Sequence, residues 1–252
     1  MEAGAQLYTV RMHCQTPADF AETLRRVADI GYRTVQVSGT CAYEPEWLRE
    51  QLDATGLRCV LTHVPLERIR DDTAALIAGH TVFGCDYIGL GCGPDCLGGD
   101  GMRQVLDLAH TAGRTIHESG KQFMYHNHNR EFNRDQPGRV TRLAYLLEHT
   151  LPEELGVTLD TYWVQAGGAD VVRTIEALSG RIPCVHLKDY AMHDIEPRMA
   201  PVGEGNLPWD AILPALERAG TRYVLVEQDD CYGEDPFDCL RRSYDFLRAQ
   251  GL

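Results

Sequence analysis

Three polar residues, Asp160, His186 and Glu227, follow short apolar runs in the second half of the chain. Each run is rich in β-branched residues, which favours a buried strand. If the three strands are parallel neighbours, their carboxyl ends meet at one rim and the three side chains converge. Oxygen and nitrogen ligands without a thiolate suit a divalent ion such as Mn²⁺, Mg²⁺, Co²⁺ or Zn²⁺. One polar residue at a strand end means little, but three on successive strands predict a metal site.

A pair of histidines, His126 and His128, ends an earlier apolar run. Because side chains alternate along a strand, both imidazoles point to the same side. This stretch supplies either a fourth metal ligand or a general base. Glu131 is the harder ligand but lies beyond the strand end, whereas His126 is better placed geometrically. The residues alone leave both ligand candidates open.

Strand patterns and helical patterns alternate eight times along the chain, which predicts a parallel sheet joined by helical crossovers. Eight such units favour a single-domain (β/α)₈ TIM barrel over residues 1–252. The alternative is an open doubly wound sheet, but no G-x-G-x-x-G follows the first strand. A longer loop is expected over 190–206. The predicted strands are 6–10, 34–37, 57–62, 86–90, 122–126, 155–159, 182–187 and 223–226.

Composition narrows the class of partner. The formal net charge of −13 over 252 residues argues against nucleic acid, because such partners need a basic surface. Nine cysteines without zinc-finger or disulfide-framework spacing are expected to be reduced. The N-terminus lacks the pattern of a signal peptide, and no apolar run is long enough to span a bilayer. We therefore expect a cytoplasmic protein without a membrane partner. A homo-oligomer is compatible with the sequence, and the Gly-rich segment 89–93 could offer backbone N–H groups to a phosphate.

Short motifs occur in a fixed order over nearly the whole chain. They are Leu7-Tyr8-Thr9-Val10-Arg11, Gly31-Tyr32, Val35-Gln36-Val37-Ser38-Gly39, Tyr125-His126-Asn127-His128, Glu131-Phe132, Asp160-Thr161-Tyr162-Trp163, His186-Leu187-Lys188-Asp189, Val202-Gly203-Glu204-Gly205 and Val226-Glu227-Gln228-Asp229. In this order they resemble the xylose isomerase-like sugar isomerases, epimerases and dehydratases, which are TIM barrels. Each motif is weak alone, and the series is specific to that superfamily.

The resemblance implies a divalent metal, most often Mn²⁺, held by a Glu, an Asp, a His and a second Glu. Three of these positions match Asp160, His186 and Glu227, and we assign the first Glu to Glu131, with His126 as the rival. The implied function is that of a metal-dependent isomerase or epimerase of a keto-sugar, or a related sugar derivative, through an ene-diolate intermediate. A dehydratase or lyase of a keto-cyclitol or keto-sugar is the alternative, because both reactions begin with proton removal beside a carbonyl.

Further side chains are expected to act on the carbohydrate substrate. The candidate acids and bases are Glu227, His128, Lys188 and His126. The candidate substrate contacts are Tyr8 and Trp163 for stacking, and Arg11 and His63 for hydroxyl groups. Two other functions fit the same fold. An endonuclease IV-type nuclease is disfavoured by the acidic charge. A non-catalytic sugar-binding barrel should have lost a ligand or a base, yet the ligand triad and the histidine pair are present.

Overall fold

Eight parallel strands close into a barrel in the structure, a computed structural model that describes residues 1–91 and 93–252. Their order around the barrel is β1-β10-β7-β6-β5-β4-β3-β2, and β8 and β9 form a separate antiparallel hairpin. The predicted (β/α)₈ barrel is confirmed. The strands are β1 (Glu2–Gln6), β2 (Thr34–Val37), β3 (Arg58–His63), β4 (Tyr87–Leu90), β5 (Gln122–His126), β6 (Gly156–Asp160), β7 (Cys184–Leu187), β8 (Asp189–His193), β9 (Glu196–Ala200) and β10 (Tyr223–Val226).

Helices cover the outside of the barrel, and local sequence signals begin and end them. Thr16 caps the first helix through its hydroxyl, which accepts from the Asp19 amide, and Gly31 ends it with a positive φ. The helices are α1 (Pro17–Ile30), α2 (Pro45–Thr55), α3 (Leu66–Asp71), α4 (Thr73–Val82), α5 (Gly101–Leu108), α6 (Arg114–Glu118), α7 (Arg142–Glu148), α8 (Thr161–Ala166), α9 (Val171–Ala177), α10 (Trp209–Arg218) and α11 (Pro236–Ala249). Short 3₁₀ helices occupy Leu7–His13, Pro94–Leu97, Arg130–Phe132 and Pro137–Arg139, and one π turn, Ala109–Gly113, joins α5 to α6.

The first strand lies earlier in the chain than the sequence predicts. The expected strand over 6–10 is wrong: β1 ends at Gln6, and Leu7–His13 is a 3₁₀ helix. β1 consists mainly of small residues because the barrel packs closely there. A Cβ at Gly4 would lie 2.5 Å from Thr34 Oγ1 and 2.7 Å from Leu225 Cδ2. Packing space therefore overrides strand propensity at this position.

The predicted loop over 190–206 contains the β8–β9 hairpin, and one buried carboxylate holds its base. Asp189 Oδ1 accepts from the backbone N–H groups of Tyr190 at 2.8 Å and Leu207 at 3.2 Å. Its Oδ2 accepts from the amides of Gly203 and Gly205 and from the Trp209 indole, at distances of 2.8, 3.0 and 2.6 Å. A Cβ at Gly205 would collide with this carboxylate. The Gly203-Glu204-Gly205 segment therefore lets the backbone approach Asp189 closely enough for its amides to bind the carboxylate.

The remaining expectations from composition concern cysteines and membranes. The seven residues Cys14, Cys41, Cys59, Cys85, Cys184, Cys231 and Cys239 carry free thiols, and most of them are buried. Cys92 lies outside the described residues. In the described part of the chain, every helix is too short or too polar to cross a membrane.

Candidate metal centre

Four potential ligands converge at the carboxyl ends of adjacent barrel strands. His126 ends β5, Asp160 ends β6, His186 lies in β7, and Glu227 follows β10 directly. One ligand atom from each residue lies within 4.8 Å of the others, and all four side chains are buried. The group could therefore hold a metal ion.

Hydrogen bonds fix both imidazoles with a lone pair toward the centre of this group. His126 Nδ1 lies 2.9 Å from the Gly91 carbonyl oxygen, and His186 Nε2 lies 2.6 Å from Gln36 Oε1. Because oxygen can only accept in these bonds, both of these nitrogens are donors. The other two nitrogens, His126 Nε2 and His186 Nδ1, lie 3.1 Å apart. Two facing lone pairs at this distance require a cation or a proton between them, so the donor set fits a metal.

Each carboxylate also presents an oxygen to the same point. Asp160 Oδ1 accepts from the Trp163 amide at 2.9 Å and so caps α8. Its Oδ2 remains 3.4 Å from His126 Nε2 and 3.7 Å from His186 Nδ1. Glu227 Oε2 lies 2.9 Å from His186 Nδ1. Asp160 thus caps α8 with one oxygen and presents the other to the centre of the group.

A buried lysine lies beside the carboxylates. Lys188 Nζ is 3.0 Å from Asp160 Oδ2, 2.9 Å from Glu227 Oε2 and 3.0 Å from both oxygens of Asp229. Burial alone would lower the pKa of Lys188, but the three carboxylates raise it above its ordinary value. One ammonium therefore faces three carboxylates. Because buried charges must be compensated, the surplus negative charge favours a further positive charge at the site, either a bound cation or a proton on His186.

The carboxylates also control the protonation of the histidine in β7. Burial alone would lower the pKa of His186, but Glu227 and Asp160 raise it to about 9. Burial would likewise raise the pKa of Asp160, yet the Lys188 ammonium and the neighbouring imidazoles of His126 and His186 hold it below its usual range. A bound metal ion would therefore compete with a proton for the same His186 nitrogen.

The structure does not bring Glu131 into the four-residue group. Its carboxylate is buried in a 3₁₀ turn, where Oε1 accepts from the Tyr125 hydroxyl at 2.8 Å and Oε2 accepts from the His128 amide at 3.0 Å. Burial raises the pKa of this carboxyl despite those bonds. Glu131 instead groups with Cys96 and His128, whose ligand atoms lie within 4.8 Å of one another.

His128 lies at the edge of the metal group, with 26% of its side chain exposed. Its ring centroid is 4.6 Å from that of His126 and 5.4 Å from that of Trp163. Nδ1 is buried without a hydrogen-bond partner among the described residues and lies 4.0 Å from Glu131 Oε1. Burial and the neighbouring His126 lower the pKa of His128 to about 3. At neutral pH the imidazole is therefore uncharged.

A cavity of about 470 Å³ opens onto this group, and its lining includes most of the predicted site residues. Tyr8 and His63 line it together with the two histidines of β5 and its loop, Lys188 and Glu227. Trp163 lies behind Lys188, whose Nζ is 5.4 Å from the centre of its ring. The guanidinium of Arg11 stacks on the Tyr8 ring at 4.2 Å, beside the cavity rather than in its lining.

Sequence reasoning missed the residues that support the ligands. Gln36 is buried on β2 and orients His186 across the barrel, and Asp229 binds Lys188. A glutamine inside the apolar strand Thr34–Val37 was a signal for the first role. The direction of the Gln36 side chain depends on a register shift against β3 between Val35 and Gln36. No sequence pattern marks that shift.

Several solved structures share this fold. A sugar phosphate isomerase/epimerase from Parabacteroides distasonis aligns with a TM-score of 0.82 and 22% identity, over 98% of this chain and 93% of that one. L-ribulose 3-epimerase aligns with a TM-score of 0.74 and 15% identity, over 99% of this chain and 94% of that one. The probable 3-DHS dehydratase AsbF of Bacillus anthracis aligns with a TM-score of 0.73 and 15% identity, over 98% of this chain and 99% of that one. At these identities the likeness shows the fold.

The family itself is shown by sequence. A comparison with curated proteins finds no significant match. The sequence model described as the xylose isomerase-like TIM barrel, however, matches residues 24–250, which is most of the chain. The resemblance predicted from the motifs is thereby confirmed, and the chain belongs to the xylose isomerase-like TIM barrel family.

Proposed function

We propose that the chain is a divalent-metal-dependent isomerase or epimerase of a keto-sugar, or of a related sugar derivative, acting through an ene-diolate. The observation that carries this proposal is the convergence of four ligand atoms within 4.8 Å of one another, in a group of which His126 and Glu227 line a cavity. The negative charge beside Lys188 supports a further positive charge at the centre, which a metal ion in place of the His186 proton would supply. Membership of the family supports an enzyme that acts on sugars.

We assign the metal to Asp160, His186, Glu227 and His126. His126 takes the fourth position because its free nitrogen already faces the group, whereas both oxygens of Glu131 are engaged elsewhere. Two carboxylates and two imidazoles suit Mn²⁺, Co²⁺ or Zn²⁺ better than Mg²⁺, and Mn²⁺ remains our first choice. When bound, such an ion polarises a carbonyl and stabilises the charge of an ene-diolate.

The base in this proposal is His128. It lines the cavity beside His126 and is uncharged at neutral pH. Proton removal beside a carbonyl, followed by return of the proton to the former carbonyl carbon and transfer of a proton between the two ene-diolate oxygens, gives isomerisation. Delivery to the opposite face, with Glu227 as the second group, gives epimerisation. Lys188 is too firmly protonated to act as a base, so it serves as a fixed positive charge near the developing oxyanion.

Metal content in matched variants tests the ligand assignment. After dialysis against Mn²⁺, elemental analysis should find one ion per chain in the parent protein and in Glu131→Gln. Asp160→Ala and His126→Ala should lose it, because each removes a ligand atom. His117→Ala, an exposed histidine on α6, is the control for nonspecific loss.

Two outcomes would change the assignment. Full metal content in both Asp160→Ala and His126→Ala would reject the centre. Loss in Glu131→Gln with retention in His126→Ala would return the fourth position to Glu131. Product analysis on a turned-over keto-sugar then separates the isomerase from the lyase alternative, in which a β-hydroxyl group is lost.

A further inference from the structure

Two cysteines that the proposed reaction does not use lie shortly after the ligand Glu227 in the chain. Cys231 lies in the loop between β10 and α11, and Cys239 lies near the start of α11. Both carry free thiols. Cys231 is partly exposed, whereas Cys239 is only 1% exposed. One member of the pair is therefore accessible to a small solute and the other is not.

A ring of polar contacts brings the two thiols together. The Cys231 carbonyl oxygen accepts from the Glu234 amide at 3.0 Å, which turns the loop back toward α11. The Glu234 carboxylate lies 2.7 Å from the Arg242 guanidinium, whose Nη2 is 3.7 Å from Cys239 Sγ. The sulfurs complete this ring, because the thiols of Cys231 and Cys239 are hydrogen-bonded to each other. Two thiols in direct contact need only a small movement to form a disulfide.

The surroundings favour one negative charge on this pair. The hydrogen bond from Cys231 lowers the pKa of Cys239, and the Arg242 guanidinium acts in the same direction. The same hydrogen bond raises the pKa of Cys231, which holds the remaining proton. Because the two sulfurs share that proton, the charge can lie on either of them. An oxidant reaches the charge at Cys231, the exposed member.

Another pair of thiols lacks this combination of contact and access. Cys59 and Cys85 are also hydrogen-bonded to each other, but they are only 1% and 0% exposed. Each already donates to a carbonyl oxygen two residues ahead, at 3.4 Å. Burial raises the pKa of Cys85 well above its ordinary value. The chain therefore contains its own negative control for thiol oxidation.

We propose that Cys231 and Cys239 form a reversible disulfide when the chain meets a peroxide. The thiolate of Cys231 attacks one peroxide oxygen: an S–O bond forms, the O–O bond breaks, and hydroxide leaves and takes up a proton to become water. The sulfur of Cys239 then loses its proton and attacks that of Cys231, the S–S bond forms, and the S–O bond breaks with release of a second water. The two thiols lose two electrons in all, which reduce the peroxide to water.

The disulfide would restrain a loop that connects the β8–β9 hairpin to the cavity at the metal group. Tyr232, the next residue in the loop, accepts through its hydroxyl from the Met199 amide at 3.2 Å, and the Arg198 guanidinium lies 4.7 Å from its ring centre. Asp229, which lines the cavity, donates its amide to Met199 Sδ at 3.3 Å. Oxidation of Cys231 therefore acts on the segment that supports both β9 and Asp229.

Thiol counting on the full chain tests the proposal. The reduced protein is treated with stoichiometric hydrogen peroxide, quenched with catalase and denatured, and its free thiols are titrated. Their number should fall from nine to seven and return to nine after dithiothreitol. Cys231→Ser should keep all eight of its thiols. Cys41→Ser, which removes another partly exposed cysteine, is the matched control and should fall from eight to six.

Peptide mapping locates the bond in the same sample. Glutamyl endopeptidase cleaves after Glu234, between Cys231 and Cys239, so the two flanking peptides should stay joined in mass spectra until they are reduced. This measurement needs no substitution and decides the matter should Cys231→Ser prove unfolded by circular dichroism.

Four results would overturn the proposal: nine thiols left in the parent after peroxide, a bond mapped to Cys59 and Cys85 or to any other pair, a loss of two thiols that persists in folded Cys231→Ser, or a loss that dithiothreitol does not reverse. The proposal does not depend on the metal enzyme, so its failure leaves the proposed function unchanged.

Discussion

The carboxylate of Asp189 should be the most costly acidic side chain to neutralise outside the metal group. Asp189 is fully buried and accepts five N–H bonds, two on Oδ1 and three on Oδ2. In Asp189→Asn one oxygen becomes an amide NH₂, which cannot accept. At least two buried donors then lose their partner, whichever way the amide turns. Each such loss costs about 1–3 kcal/mol, so the free energy of unfolding should fall by roughly 2–6 kcal/mol.

Thermal and urea unfolding measure this loss. For a chain of this size, about 1 kcal/mol corresponds to roughly 2–4 °C, so a loss near 4 kcal/mol lowers the Tm by about 8–16 °C. Asp194→Asn is the matched control, because Asp194 lies on the same hairpin segment with its side chain 90% exposed. It should change stability by less than about 0.5 kcal/mol. Equal stability of the two variants would show that the carboxylate does not organise the loop as we infer.

Two further predictions concern buried hydrogen bonds. Gln36→Leu removes the acceptor that orients His186, so Mn²⁺ affinity in a chelator competition should fall about 10–100-fold, and unchanged affinity would refute that role. Burial lowers the pKa of His80 to about 4, below its ordinary value of 6.5, so the unfolded state binds the proton first as the pH falls. The free energy of unfolding is therefore at its full value above about pH 6.5 and falls by about 3 kcal/mol as the pH is lowered toward 4. Urea unfolding of His80→Gln across that range should show a flatter pH dependence than the parent, and parallel curves would contradict the assignment.

Much of the fold follows from local sequence because most of its signals agree. The strands Gln122–His126 and Tyr223–Val226 coincide with the predicted ones, since both are apolar runs with clear boundaries. β1 could not be placed in this way. Its Ala-Gly-Ala core has weak strand propensity. Only small residues fit there, because Thr34 and Leu225 lie too close to Gly4 for a larger side chain. That space exists only once the barrel has closed.

The site was predictable to the level of strand ends and no further. Asp160, His186 and Glu227 converge because parallel strands align their carboxyl ends, which is a property of the fold. The choice between His126 and Glu131 depends instead on a 3₁₀ turn that directs the glutamate toward Tyr125. Turn rotation and hydrogen-bond partners depend on tertiary packing, so spacing alone could not settle that position.

The reaction is tested most directly by solvent exchange at the carbon beside the carbonyl. The parent protein and His128→Asn are loaded with Mn²⁺ and incubated in deuterium oxide with a panel of keto-sugars and inosose-like cyclitols, and NMR follows the label. We predict metal-dependent incorporation of deuterium at that carbon for at least one substrate. Because a positioned base contributes about 10²–10⁴-fold, His128→Asn should slow it by at least the lower figure. Turnover without incorporation, together with near-normal activity of His128→Asn, would contradict an exchanging base and leave His128 a structural residue.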